Sequence, residues 1–501
     1  MGAVDGLIYG FGIAFLPHNL LFCFIGVFVG TLIGVLPGLG PSGALALLLP
    51  VTFGLAPATA IIMLSGIYYG AMYGGSTTSI LINIPGEAAS VITCLDGYQM
   101  ARKGRAGPAL GMAAIASFIA GTISLFGLLF LAPTFANFAL AFSSPEYVSL
   151  ILCGLILVSF LGSGSRLKAF MMATLGLLLG TIGTDPIEGM ERFAFKITYL
   201  MDGVGLIPVI MGLFGISEIF SNLEEAEFHG ILKEKIKNLL PTLQDWKDST
   251  WPIIRGTVLG FFVGVIPGTN TVIASTMSYA LEKKVSKHPE KFGTGIIEGV
   301  AGPEAANNSG PSGAFIPLLS LGIPTNATMA LLLASLMIHG VTPGPFLINQ
   351  SPEIFWSVIA SMYIGNVMLL ALNLPLVGMW VQVIKIPYAY FFPIILVFCL
   401  LGSYCIGSTI FDIGVMIFFG IVGFLMKKFA YESTPLILAF ILGPMFEEHF
   451  RRSLVLSFGS FRIFFERPIS ATFLVLAIVL LTFTLLPMFR KYVDQQLKQM
   501  R

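Results

Sequence analysis

The stretch "GVLPGLGPSG", Gly34–Gly43, lies inside a long apolar run and carries two prolines and four glycines. Proline removes a backbone N–H donor, and glycine raises the entropic cost of helix formation, so this stretch is expected to interrupt a helix. In a membrane every freed N–H or C=O group must find a partner, because an unpaired group costs several kcal/mol. The sequence therefore predicts a broken or re-entrant hairpin at this position.

The composition around this break defines the class of protein. Of the 501 residues, 56% are hydrophobic and only 11% are charged, and the mean hydropathy is +0.89. Soluble domains carry about 25% charged residues. Together with repeated apolar runs of near-spanning length, these values predict an all-α polytopic membrane protein with roughly 10–12 transmembrane helices. The net charge of +1 indicates no basic surface for nucleic acid.

The chain contains a second break that resembles the first. "GVLPG" at 34–38 matches "GVIPG" at 264–268, an offset of 230 residues, and Ile-Pro-x-x-Ala at 84–88 recurs at 323–327, an offset of 239. Coincidence in a chain rich in Gly and Pro is the alternative, but paired interrupted segments favour an internal duplication. The predicted organisation is a first membrane repeat over 1–221 with broken segments near 34–43 and 69–90, a polar linker over 222–250, and a second repeat over 251–501 with broken segments near 264–271 and 302–328.

The loop charges indicate how the two repeats are oriented. In the first half, the loop after the second break carries Arg102, Lys103 and Arg105, and the loop after the first break is uncharged. In the second half the order is reversed, since the charged segment 282–291 follows the first break. Lys and Arg favour the cytoplasmic side of a membrane. Equivalent loops would then lie on opposite faces, which predicts two inverted-topology repeats.

Hydroxyl, amide and glycine residues cluster at the breaks, where they predict a substrate site. We expect substrate carboxylates to rest on half-helix N-termini at Ser76–Thr78 and Asn307–Ser309, where free N–H groups and the helix dipole attract anions. Helix packing explains any one of these residues equally well, but clusters beside matched breaks in both halves favour a site. The predicted substrate-binding residues are Pro37, Gly38, Ser42, Gly74, Gly75, Ser76, Thr77, Thr78, Pro267, Gly268, Thr269, Asn270, Asn307, Asn308, Ser309, Gly310 and Ser312.

The same breaks also predict a cation site, because unwound carbonyls and half-helix C-termini suit Na⁺. The candidate residues are Asn83, Pro85, Glu87, Pro324, Thr325 and Asn326. Glu87 has two interpretations: a cation ligand or titrating group within the membrane, or a helix-start carboxylate near the interface. Glu304 is expected at the interface, because the charged segment 282–291 lies close upstream.

The sequence contains no H-E-x-x-H, G-x-S-x-G or P-loop lysine motif. These motifs hold a catalytic metal, a nucleophile or a nucleoside triphosphate, respectively. The sequence therefore gives no support for an enzyme, and we expect no cofactor and no metal apart from Na⁺.

Three long strings carry a family resemblance: "GVLPGLGPSGALALLLP" (34–50), "SGIYYGAMYGGSTTSILINIPGEAASVITCLDGYQMARKGRAGPALG" (65–111) and "GVAGPEAANNSGPSGAFIPLLSLGIPTNATMALLLASLMIHGVTPGP" (299–345). They resemble the large membrane subunit of bacterial tripartite tricarboxylate transporters, the TctA family. The resemblance implies a secondary transporter of the bacterial inner membrane that carries citrate or another di- or tricarboxylate and is driven by a cation gradient, often of Na⁺.

The resemblance also implies two protein partners, a small four-span membrane subunit and a periplasmic substrate-binding protein. The residues alone leave two other functions open. One is a carboxylate or ion channel that uses the same hairpins as a static filter, and the other is an intramembrane enzyme.

Overall fold

The computed structural model describes residues 2–36, 38, 40–161, 164–185, 187–224, 238–386 and 390–499. These residues are overwhelmingly helical, which confirms the predicted all-α class. Up to residue 224 the helices are α1 (Ala3–Ala14), α2 (Pro17–Val35), α3 (Gly40–Leu48), α4 (Pro57–Ile82), α5 (Val91–Met100), α6 (Ala106–Ala139), α7 (Ser144–Leu161), α8 (Arg166–Gly180), α9 (Leu206–Ile210) and α10 (Ser217–Glu224).

From residue 243 onward the helices are α11 (Leu243–Val265), α12 (Thr271–Val285), α13 (Glu298–Leu321), α14 (Ala327–Ile338), α15 (Leu347–Gln350), α16 (Pro352–Asn373), α17 (Val377–Ile384), α18 (Phe391–Gly407), α19 (Ile410–Lys428), α20 (Ser433–Leu456), α21 (Ile463–Glu466) and α22 (Pro468–Gln499). One small antiparallel sheet pairs β1 (Gly183–Thr184) with β2 (Glu191–Arg192). A 3₁₀ turn at 88–90 precedes α5.

Both predicted first breaks interrupt helices, as the sequence indicated. The chain between α2 and α3 includes Gly38 with φ +94°, and the chain between α11 and α12 includes Gly268 with φ +85°. These left-handed conformations favour glycine, which has no Cβ to clash. The two second breaks also share a left-handed residue, Asn83 at the end of α4 and Gly322 at the end of α13.

Close helix packing shows that the first break of each half reverses the chain. Glycines of α2 lie against the α4 backbone, and glycines of α11 lie against the α13 backbone. In both pairs, residues later in the first helix contact residues later in the second helix. Helix α2 therefore runs parallel to α4, and α11 runs parallel to α13. The intervening α3 and α12 must therefore run back, as hairpins do. The contacts are Gly26–Met63, Gly30–Ile67 and Gly34–Ala71 in the first half, and Gly256–Gly302, Gly260–Ala306 and Gly264–Gly310 in the second.

The contacts of the two halves correspond residue by residue. The glycines of α2 and α11 differ by 230 positions, and the residues that they contact on α4 and α13 differ by 239, the same offsets as the sequence motifs. The equivalent helices α4 and α13 run in opposite directions. Near the end of α4, Ser76 bonds Glu304 near the start of α13, whereas the earlier Tyr69 shares a cavity with the later Ser312. Opposite directions of equivalent helices are what inverted repeats require, so the packing supports the predicted duplication and inversion.

One part of the predicted hairpin geometry is wrong. Ser76–Thr78 and Asn307–Ser309 do not begin half-helices, because α4 and α13 continue through them. The second breaks lie later, at 83–87 and 322–326. Almost every residue of α4 and α13 is buried, so their small polar residues face other helices, where they allow close packing and hydrogen bonding.

By length and composition, six helical segments in the described part of the chain can cross a membrane. Five shorter apolar helices accompany them, including segments of the broken hairpins. The six-segment set is smaller than the predicted ten to twelve crossings, and α4, α11 and α13 are not among its members. The glycine, hydroxyl and amide residues of these three helices lower their hydropathy, and burial among other helices makes a fully apolar surface unnecessary.

The chain forms two compact units, 1–137 with 207–424 and 138–206 with 425–501. The first unit contains all the hairpins described above. In the second unit α8 packs against α20, where Gly176 lies on the backbone of Leu436, and α7 packs against α22. The division into repeats at a linker over 222–250 stays a prediction; residues 225–237 of that segment lie outside the described residues.

Helix α11 begins within the segment expected to be a linker. Thr242 and Asp245 form a capping box at its first turn, and Arg105 Nη2 lies 2.5 Å from Asp245 Oδ1. Burial alone would raise the pKa of Asp245, but hydrogen bonds from Arg105 and Thr242 outweigh it and lower that pKa below its usual value. These contacts attach the start of α11 to the charged π-helical turn Ala101–Arg105 between α5 and α6.

Candidate functional site

The centre of the site is the carboxylate of Glu304. This residue lies in the second turn of α13 and is fully buried in the protein; its expected position near the membrane interface stays a prediction. Its Oε2 accepts hydrogen bonds from Ser76 Oγ at 2.7 Å and Ser117 Oγ at 3.4 Å. Its Oε1 accepts one from Thr93 Oγ1. Helices α4, α5 and α6 thus each contribute one hydroxyl to a carboxylate of α13.

The electrostatics of Glu304 are unusual for a buried acid. Among the described residues, no Lys, Arg or His lies within salt-bridge distance of it. A buried unpaired carboxylate loses several kcal/mol of hydration free energy, and a hydrogen bond to a charged group returns about 1.5–3 kcal/mol. Three neutral hydroxyls offset part of this cost without supplying positive charge. The arrangement is suited to a carboxylate that takes up a cation or a proton.

Glu87 is a second buried carboxylate, and it also lacks a basic partner within the described ranges. It precedes the 3₁₀ turn at 88–90, where Oε2 accepts from Ala89 N at 2.7 Å. Its Oε1 accepts from Asn307 Nδ2 at 3.1 Å. Glu87 therefore lies at a helix start, as one of its two interpretations expected, and it is buried at 5% exposure. Its role as a cation ligand stays a prediction.

Two asparagines on α13 connect these carboxylates to the surrounding helices. Asn308 Nδ2 donates to Ser117 Oγ at 2.7 Å and to the backbone oxygen of Glu304 at 3.1 Å. The side-chain oxygens of Asn307 and Asn308 are buried and accept no hydrogen bond from any described residue. Buried acceptors are nearly always paired, so these two oxygens are available to a water, an ion or a substrate group.

Two small cavities lie beside this cluster, between α4, α6, α13 and α16. Each has room for about one water molecule, which is too little for a carboxylate substrate. The hydroxyls of Ser76 and Ser117 that hold Glu304 line the first cavity, and Asn308 lines the second. The first cavity is lined by Tyr73, Ser76, Thr77, Leu110, Ala113, Ala114, Ser117 and Asn373; the second is lined by Tyr69, Tyr73, Gly121, Leu125, Asn308, Ser312, Met362 and Asn366.

At the first breaks, the predicted polar residues mainly stabilise the hairpins. Ser42 Oγ lies 2.8 Å from Thr328 Oγ1, joining α3 to α14. Thr269 Oγ1 donates to Ile266 O at 2.7 Å. Asn270 Oδ1 caps α12 by accepting from Ile273 N at 3.0 Å.

At the second break of the second half, Asn326 caps α14 through Met329 N at 3.0 Å. The backbone oxygen of Thr325 accepts from Gly268 N at 2.8 Å, so the two breaks of this half are in direct contact. Pro85, Pro267 and Pro324 lie in the breaks themselves, as do Gly38 and Asn83, and Pro37 lies outside the described residues.

The remaining predicted residues pack the interior of α4 and α13. A Cβ at Gly74 would lie 2.4 Å from Thr31 O, and one at Gly75 would lie 2.7 Å from Glu87 Cγ. Thr78 Oγ1 donates to Gly75 O at 3.0 Å, and Ser309 Oγ donates to Ala306 O at 3.3 Å. The backbone of Gly310 lies directly against Gly264 of α11. The predicted residues that meet around the carboxylates and cavities are Ser76, Thr77, Glu87, Asn307, Asn308 and Ser312.

Several residues of the cluster were missed by sequence reasoning. Glu304 precedes Asn307 and Asn308 by three and four positions, so helical periodicity places all three on one face, and this signal could have identified it. Thr93 follows the predicted broken segment 69–90 by three residues, and Ser117 lies in an apolar run; neither belongs to a polar cluster. Tyr69, Tyr73 and Asn366 likewise join the site only through tertiary packing.

Comparison with known proteins places this geometry in a family context. Residues 20–438 match the Tripartite tricarboxylate transporter TctA family. The chain is 49% identical over 495 residues to an uncharacterized 52.8 kDa protein in the TAR-I ttuC' 3' region of Agrobacterium vitis. This alignment covers 99% of each of the two chains. It is 47% identical over 236 residues to an uncharacterized protein in the TAR-II ttuC' 3' region of the same organism, over 47% of this chain and 98% of that one. No solved structure matches.

Proposed function

Because this chain belongs to the TctA family of tripartite tricarboxylate transporters, we propose that it imports di- or tricarboxylates across the bacterial inner membrane, coupled to a cation, Na⁺. In this proposal it is the large permease subunit of a binding-protein-dependent system. The observation that supports cation coupling is that two buried carboxylates, Glu87 and Glu304, have no basic partner among the described residues. The hydroxyls of Ser76 and Ser117 that bond Glu304 also line the first cavity.

The charges explain why an anionic substrate needs a cation at this site. Two like unit charges about 6–8 Å apart repel by about 2–3 kcal/mol at an effective dielectric constant of about 20. A dicarboxylate or tricarboxylate beside Glu304 multiplies this penalty. Uptake of a cation together with the substrate removes it, so the two bind together more favourably than either binds alone.

The family name implies further subunits, and we propose the two of the family pattern. A periplasmic binding protein captures the substrate and delivers it, and a small four-span membrane subunit accompanies this chain in the bilayer. The long helices and small cavities of this chain are compatible with such a division of labour, because capture outside the membrane needs a separate soluble domain.

A transporter fits the site better than a static channel or an intramembrane enzyme. The cavities have room for about one water, so passage of a carboxylate requires the helices to move, as in alternating access. Ser76 and Ser117 donate hydrogen bonds to a carboxylate, and among the described residues neither bonds a histidine base that would activate a nucleophile.

Uptake into proteoliposomes tests the proposal. Both membrane subunits are reconstituted, and labelled citrate and shorter dicarboxylates are supplied with the binding protein, with and without an inward Na⁺ gradient. We expect saturable accumulation that requires the binding protein and follows the Na⁺ gradient. Flux that follows only the substrate's own gradient would support a channel, and uptake independent of the binding protein would contradict the tripartite assignment.

A further inference from the structure

We infer that Glu304 binds the coupling Na⁺ and that Ser76 and Ser117 communicate its occupancy to the carboxylate site in the first cavity. This inference rests on the proposed function and locates its ion. It differs from the sequence-based expectation, which placed the cation at the hairpin breaks around Asn83–Glu87 and Pro324–Asn326.

The donor set suits Na⁺, a hard cation that prefers oxygen ligands. The carboxylate oxygens of Glu304 and the hydroxyl oxygens of Ser76, Thr93 and Ser117 converge from four different helices. No nitrogen or sulfur group takes part in these contacts. A single carboxylate with neutral oxygens matches a single positive charge, so the occupied site is neutral and its burial costs far less than that of a lone carboxylate.

The neighbouring amides provide an independent indication of a ligand. Asn308 lines the second cavity and is held at the cluster by its Nδ2 bond to Ser117, and its Oδ1 is buried and has no donor among the described residues. Asn307 is held in the same way by Glu87 and also leaves Oδ1 without a donor. Buried oxygens without donors are well suited to coordinate a cation or a water bound to one.

The shared hydroxyls link the ion to the substrate. Ser76 and Ser117 each have one proton, which points to Glu304 Oε2 when no cation is bound. Na⁺ at this oxygen takes lone pairs of both serine hydroxyls as ligands. The hydrogen bonds from these hydroxyls to the carboxylate are then broken. The protons can then turn towards the cavity that both residues line and donate to a substrate carboxylate. The anion site is therefore complete only when Na⁺ is bound.

Thermal unfolding of the purified complex with its small membrane subunit measures ion binding without transport. We compare NaCl with choline chloride at equal ionic strength. NaCl is expected to raise the unfolding midpoint of the wild type but not of Glu304→Gln. The matched control is Glu298→Gln, the same substitution six residues earlier on α13; Glu298 bonds Ser286 and none of the cluster residues, so this variant should respond as the wild type does.

A second variant keeps the test valid if Glu304→Gln fails to fold. Thr93→Val preserves the side-chain shape and removes one hydroxyl ligand, and we expect the half-saturating Na⁺ concentration to rise about 10-fold or more, as loss of a bond to a charged group predicts. Stabilisation of Glu304→Gln by NaCl, or an unchanged Na⁺ requirement in Thr93→Val, would overturn the inference. Stabilisation of the wild type by acid and not by NaCl would do the same.

The measurements distinguish an error in Na⁺ coupling from an error in the location of the Na⁺ site. If wild-type uptake ignores Na⁺ and NaCl does not stabilise the wild type, Na⁺ coupling itself is wrong. If the wild type responds to Na⁺ and both variants respond in the same way, only the location at Glu304 is wrong.

Discussion

The glycine contact between α11 and α13 yields a prediction whose size follows from the structure. At Gly260 an added Cβ would lie 2.3 Å from both Ala306 O and Ser309 Oγ. Ordinary contacts begin at 3.4 Å, so Gly260→Ala forces the two helices apart by about 1 Å. Such overpacking costs about 1–3 kcal/mol, whereas alanine gains about 0.5–1 kcal/mol over glycine in a helix. We expect a net destabilisation of about 1–2 kcal/mol.

The repeat supplies a matched partner and the chain supplies a control. Gly30, the equivalent of Gly260 at the offset of 230, lies where a Cβ would meet Ile67 O at 2.4 Å, so Gly30→Ala is expected to destabilise by a similar amount. Gly12 in α1 has nothing within 4 Å of an added Cβ, and Gly12→Ala should be neutral or slightly stabilising.

Thermal unfolding of the purified protein in detergent measures all three variants. Lower midpoints for Gly30→Ala and Gly260→Ala, with an unchanged or higher midpoint for Gly12→Ala, are expected. Equal midpoints for the three would refute the parallel packing of α2 on α4 and of α11 on α13, and with it the hairpin geometry.

Ser117→Ala removes a hydroxyl that lines the first cavity, so the substrate KM in the uptake assay should rise about 10-fold. The control Ser159→Ala loses only a hydrogen bond within its own helix and should leave KM unchanged. Equal KM values for the two variants would count against the site. Asp96 accepts from the backbone N–H groups of Gly293, Gly295 and Ile296, so Asp96→Asn should speed hydrogen exchange at these amides, and unaltered exchange would contradict this anchor. The pKa of Asp245 is lowered in the fold, so its stabilisation is present above the unfolded pKa of about 3.9 and is lost as pH falls through the folded pKa. The stability gap between the wild type and Asp245→Asn should therefore close below about pH 4, and a constant gap would argue against the Arg105 contact.

Local sequence was sufficient to predict the breaks, because Gly and Pro act on the backbone of their own segment. The left-handed φ of Gly38 and Gly268 occurs at matched positions of the two motifs, and the same offsets relate the glycine contacts. The charge pattern of the loops predicted the inversion that the opposed α4 and α13 support. Each feature is carried by a short segment whose own residues show it, and comparison of the two halves then relates the segments.

The identity of the central carboxylate could not be predicted in the same way. Upstream charges suggested that Glu304 lies at an interface, yet its burial is set by Ser76, Thr93 and Ser117, which come from three other helices. Thr93 and Ser117 have no unusual neighbours in sequence. Similarly, the serine and threonine run at 76–78 looked like a helix start, but burial of α4 among other helices allows these residues within a continuous helix.

If the cavity beside Glu304 is the transport site, bound substrate should protect a cysteine at position 77 from chemical modification. Thr77 lines the first cavity and is 4% exposed. Thr77→Cys is made in a background whose five native cysteines are replaced with serine, and the reconstituted protein is treated with a membrane-impermeant thiol reagent. Met190→Cys, in an exposed loop of the second unit, serves as the control.

We predict that Thr77→Cys is modified as the transporter cycles, and that substrate together with Na⁺ slows its modification while leaving Met190→Cys unaffected. Modification of Thr77→Cys at the same rate with and without substrate and Na⁺ would show that this cavity is not the transport site.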